Sequence, residues 1–165
     1  MKSKILDVEI NESIFKGICI IGAILILFFC LALYLDLGAL RNYKIPKDIK
    51  LDKNSKVEFR IDKIVPSNKY IEIEGWAYKK GQNVDYFNSR FILQNQETKE
   101  YKALHTEMKS VDYLLSVDDK YDCRKAGMYA KSIAVLLKRG DYRVFIEYKN
   151  DDENILVDTG EVFKY

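Results

Sequence analysis

The chain of 165 residues is poor in the residue types from which most catalytic motifs are built. It has one histidine, His105, and three cysteines, Cys19, Cys30 and Cys123. No His-Glu-x-x-His pair, no paired-cysteine zinc spacing and no glycine-rich phosphate loop occurs. No Ser, Asp or Cys stands at motif spacing from His105, so a nucleophilic triad would have to be assembled wholly from distant residues. A charge excess is missing too. The 27 basic and 25 acidic residues leave a net charge of +2, whereas nucleic-acid binding calls for a concentrated basic face. Internal repeats and low-complexity tracts are absent. These absences predict a protein that is not an enzyme, has no cofactor or metal and has no nucleic-acid partner.

What is present is sharply divided. Gly17 to Leu35 is an uncharged run of nineteen residues, bounded by Lys16 and Asp36. As a helix it would be about 28 Å long, close to the roughly 30 Å hydrocarbon core of a bilayer. Twelve of its residues are Ile, Leu or Phe. Their summed insertion free energy is on the order of −5 kcal/mol, with no buried charge opposing it. A helix apolar on all sides needs burial on every face, which a domain of about 110 residues could hardly supply. The run therefore predicts a transmembrane helix over residues 17–36, preceded by a short tail (1–16) and contacting membrane lipid. It does not read as a removable signal peptide. The tail carries Asp7, Glu9 and Glu12, the apolar run is too long, and Leu37 occupies the −3 position before Ala39.

Cys19 and Cys30 lie in this run, so Cys123 alone remains in the polar part and no disulfide can form within it. Lys2, Lys4 and Lys16 flank the run on one side; Arg41, Lys44, Lys47 and Lys50 flank it on the other. Long domains translocate largely regardless of such counts. A short tail inside and a long domain outside is the predicted arrangement, at the plasma membrane. The richness in Lys, Ile, Asn and Tyr suggests AT-rich codons and a low-GC bacterium.

Residues 37–55 are polar, carry Pro46 and show no period, and so read as a linker. Seven short alternating segments follow, over 56–65, 70–78, 89–96, 100–107, 127–138, 142–149 and 155–165. They are rich in β-branched and aromatic residues and separated by turns such as "PSNK", "KKGQN" and "NDDEN". The pattern predicts an all-β domain over residues 56–165, an immunoglobulin-like sandwich of about seven strands. Ala130, Ile133, Ala134 and Leu137 also fit a helical face, but "KRGD" and a clear strand follow at once. The longest connection, 108–127, has room for a short crossing helix near residues 113–117.

Candidate functional residues are few. In a regular strand, Trp76 and Tyr78 share the face of Glu72 and Glu74, an aromatic platform for a sugar or a partner. A bulge at Gly75 would instead turn both rings into the core. Tyr142 stands where sandwich domains place a corner tyrosine, whose hydroxyl bonds nearby backbone. Cys123 has Arg124 and Lys125 beside it, neighbours that activate a thiol. Asp118, Asp119 and Asp122 form one acidic cluster and Asp151, Asp152 and Glu153 another; neither matches a calcium loop, and solvated turns are expected.

The stretches "IEIEGWAYKKGQ", "RFILQNQETKEYKAL" and "LLKRGDYRVFIEYKN" together resemble small immunoglobulin-like β-sandwich domains found beside cell-surface glycan assembly proteins of low-GC Gram-positive bacteria. The resemblance implies an extracytoplasmic accessory domain with no catalytic residues and with Trp76 packed in the core. The expected role is binding or interaction in the cell envelope, accessory to surface polysaccharide, with an envelope glycan or a membrane protein as partner. The alternatives are a subunit or scaffold of a membrane complex, which Gly17, Gly22 and Ala23 would help by close helix packing, and a cytoplasm-facing immunity or sensor protein.

Overall fold

A computed structural model describes residues 12–38, 40–47, 49–52, 56–84, 88–111, 121–134, 137–150 and 153–165. The chain forms two units, Met1–Leu37 and Gly38–Tyr165. In the first, helix α1 spans Glu12–Gly38, longer at both ends than the uncharged run alone requires. Its segment Ile14–Leu33 has a mean hydropathy of 2.7 and no buried residue. It is long and apolar enough to cross a membrane.

The second unit is all-β. Its strands are β1 (Arg41–Tyr43), β2 (Lys50–Asp52), β3 (Val57–Pro66), β4 (Tyr70–Lys79), β5 (Arg90–Asn95), β6 (Tyr101–Ala103), β7 (Thr106–Lys109), β8 (Gly127–Ile133), β9 (Asp141–Asn150) and β10 (Glu153–Lys164). They build a six-stranded sheet, β1-β6-β5-β9-β10-β2, and a four-stranded sheet, β3-β4-β8-β7. Every pair is antiparallel except β10 with β2.

The period-2 pattern does its work between the sheets. Val57, Ile71, Ile73 and Ala77 from one sheet meet Phe91, Leu93, Val144, Ile146 and Tyr148 from the other in one buried cluster. Tyr142 joins them, and its hydroxyl donates to the Lys138 carbonyl at 2.8 Å, the corner bond expected of it. The alternation in β3 slips by one residue between Ile61 and Lys63. The sequence carries the cause: Asp62 and Lys63 are two successive polar residues, and the bulge lets Ile64 return to the core side. Opposite it sits Gly75, where a Cβ would run into the Arg60 carbonyl oxygen.

Three expectations change. The segment 100–107 is not one strand: β6 belongs to the six-stranded sheet and β7 to the four-stranded one, and the chain crosses at Leu104 and His105. Strand β8 stops at Ile133, and a turn bonds the Leu137 amide to the Ala134 carbonyl. Most consequentially, 37–55 is not a free linker. It supplies β1 and β2, the two opposite edges of the six-stranded sheet, so that the described residues hold ten strands rather than seven. The short helix expected near 113–117 lies outside the described residues.

Between its two strands this segment forms a strap. Tyr43 and Ile49, with Ile45, cover Ile92, Ala103, Phe145 and Leu156 on the outer face of the six-stranded sheet. Seven Cα steps from Tyr43 to Lys50 reach about 24 Å fully extended. Six strands present five spacings, again about 24 Å across a flat sheet. A turn closed by the Ile49 amide on the Pro46 carbonyl shortens the reach. The sheet must therefore curl toward its strap. Under the strap Arg90 pairs with Glu147, which is 3 % exposed, and the Arg90 guanidinium lies 5.2 Å from the Tyr43 ring centroid. Burial, and then the Glu147 carboxylate, hold the Tyr43 phenol above its ordinary range.

Two tests follow from this packing. Ile49→Ala should cost about 2–4 kcal/mol in denaturant unfolding, as a core truncation does and a linker substitution does not. Burial also pushes the Tyr148 phenol up to about 12. A raised folded-state value favours the neutral form, so this contribution to stability is intact below pH about 10 and is lost between pH about 10 and 12. Denaturant midpoints should fall over that alkaline window, and less so in Tyr148→Phe.

Candidate functional site

The outer face of the four-stranded sheet holds the residues singled out from the sequence. Strand β4 keeps its alternation through Gly75, so Trp76 and Tyr78 point away from the main core. Their rings stack with centroids 5.5 Å apart. They do not form an open platform, however. Tyr78 is 1 % exposed and Trp76 is half-buried. The cover comes from distant parts of the chain. Val84, Val111, Tyr121, Cys123 and Ala126 close over the two rings in a small satellite core. Backbone bonds fix this cover, from Val84 to the Asp122 carbonyl at 2.9 Å and from Val111 to the Arg124 carbonyl at 2.7 Å. The position of Trp76 thus differs both from the exposed platform and from the bulge-driven placement in the main core.

Cys123 is buried within this cover, its thiol 3.8 Å from the Gln82 carbonyl oxygen. Its burial makes it a small apolar packing group rather than an accessible nucleophile. His105 is exposed on the β6–β7 crossing. Asp122 is spent on local structure: the Arg124 guanidinium and amide hold its carboxyl down to about 2, and its own amide donates to Asn83 Oδ1 at 3.0 Å. Asp118, Asp119, Asp151 and Asp152 lie outside the described residues. Glu153 pairs with Lys79. Among the described residues no three of His, Cys, Asp and Glu gather as a metal site.

Beside the satellite core runs a groove of about 370 Å³. Its lining comes from all four strands of the sheet and the two residues after β7: Asp62, Glu74, Gly75, Lys109, Ser110 and Gly127, with Val111 and Met128. The alternation of β3 places Asp62 here, on the same face as Arg60, whose Nε it meets at 2.9 Å. Glu74 meets Lys109 Nζ at 3.0 Å. Lys109 also lies 4.1 Å from the centroid of the Tyr129 ring. Gly127 keeps the wall low, since a Cβ there would sit 2.6 Å from the Lys109 carbonyl oxygen. Sequence reading missed the groove because none of its residues forms a motif. The one available signal was the pair of polar residues, Asp62 and Lys63, that breaks the strand pattern.

Comparison with protein-family models, with curated proteins and with solved structures finds no match for this chain.

The satellite core makes a direct prediction. Trp76→Ala should destabilise the domain by about 2–4 kcal/mol, because a packed aromatic is removed from under its cover. An exposed stacking ring would give a shift within about 0.5 kcal/mol. Thermal and denaturant unfolding distinguish the two.

Proposed function

We propose that this chain is a single-pass, membrane-anchored, extracytoplasmic and non-catalytic binding or interaction domain of the bacterial cell envelope, accessory to surface polysaccharide. The observation that carries the reading is α1: an apolar helix with no buried residue over Ile14–Leu33, joined to a folded all-β unit. Such a surface needs lipid or other membrane helices around it. An anchor raises the local concentration of the domain at the membrane, so weak contacts suffice for binding.

An immunoglobulin-like sandwich is part of the proposal. The strand order β3-β4-β8-β7 facing β5-β9-β10 supports it, being the order in which the A-B-E-D and C-F-G sheets of that fold are laid out. The Tyr142 corner at the start of β9 supports it as well. The non-catalytic reading draws on the groove, whose two carboxylates are each tied to a cation.

Sidedness is testable in intact cells. The buried Cys123 is a poor reporter, whereas Glu97 is exposed in the β5–β6 turn. Glu97→Cys in the full chain should react with a membrane-impermeant maleimide added to whole cells. Labelling only after lysis would overturn the extracytoplasmic placement. Recovery of the unlabelled chain in the soluble fraction would overturn the anchor.

A further inference from the structure

We infer that the groove on the four-stranded sheet is a subsite for one neutral, hydroxyl-rich ring, the pyranose unit of a saccharide; this deepens the envelope-binding reading above and rests on it. The argument starts from charge. Asp62 and Glu74 bring two negative charges, and Arg60 and Lys109, their partners, bring two positive ones. The site is therefore close to neutral. A divalent cation would meet Lys109 and Arg60, and an anion would meet both carboxylates, so neither is favoured.

Hydrogen-bonding capacity is nevertheless left over. Asp62 engages Arg60 through Oδ1 and Glu74 engages Lys109 through Oε1. A carboxylate offers about four lone-pair sites, so each still accepts from a ligand. Lys109 has three N–H donors and spends one on Glu74. Fixed acceptors beside fixed donors match adjacent sugar hydroxyls, each of which both donates and accepts. The ion pairs hold the side chains in place before the ligand arrives, which lowers the ordering cost of binding.

Shape agrees with chemistry. A volume of about 370 Å³ is sufficient for one ring. The floor includes Gly75 and Gly127. The β3 bulge keeps Lys63 on the same face as Asp62, a use to which edge-strand bulges are often put.

The test uses the isotope-labelled full chain in nanodiscs, titrated with maltohexaose as a soluble neutral glycan. In a second arm the nanodiscs carry glucosyl-diacylglycerol, which presents the same ring on a lipid. Chemical-shift changes should concentrate on the amides of Lys109, Ser110, Gly127 and Met128. Asp62→Asn and Glu74→Gln should each weaken the affinity about tenfold, with unchanged melting temperature, while Glu107→Gln on neighbouring β7 should leave it unchanged. Shifts in either arm support the subsite, and the responding arm names its source. No shift at the groove in either arm at 10 mM ring, or shifts confined to the other sheet, would overturn it whatever the variants do. A groove that binds the ring in a chain whose domain labels only after lysis would sink the envelope placement and keep the subsite. A silent groove on a domain labelled from outside would do the reverse.

Discussion

Water must be kept from both faces of the six-stranded sheet, and most of the β domain is arranged around that requirement. Phe91, Leu93, Val144 and Ile146 face the other sheet, while Ile92, Phe145 and Leu156 face the opposite way. Leaving a large apolar side chain exposed forfeits about 1.5–3 kcal/mol of burial. Three such side chains amount to a substantial fraction of a small domain's net stability. The second sheet satisfies one face. The strap, through Tyr43, Ile45 and Ile49, satisfies the other, and it also shelters the Arg90–Glu147 pair. A buried carboxylate without its partner and its cover would be strongly destabilising.

Much of the fold was legible because alternation is a local signal. Six of the seven expected segments each hold one strand, shortened in 127–138, while 100–107 holds two; the inward set of β9 is the set that the pattern designates. The strap was hidden because its apolar residues follow no period and stand among Lys44, Pro46 and Lys47. A trace of it was nonetheless present in its partners. "FIL" at 91–93, "VFI" at 144–146 and "ILV" at 155–157 are unbroken apolar runs, the mark of strands covered on both faces. The bulge had its own trace in Asp62 and Lys63.

The face of Trp76 and Tyr78 was legible, and their surroundings were not. Period 2 assigns both rings to the glutamate side of β4. Whether that side is wet depends on Val84, Val111 and Tyr121 to Ala126, which lie up to fifty residues away along the chain. No window around Trp76 contains that information. The same limit applies to the groove, whose charged pairs join β3, β4 and β7 only once the sheet has formed.

The strap has a consequence for self-association. Wherever copies of a chain meet at high density, an open strand edge invites addition of a neighbour's strand. Here both rims of the larger sheet end in strands of three residues, too short to template an intermolecular ladder. The smaller sheet ends in four-residue β7 on one side and in β3 on the other, with its irregular register and terminal Pro66. The segment that keeps water off the larger sheet also denies crowded copies a site from which to polymerise.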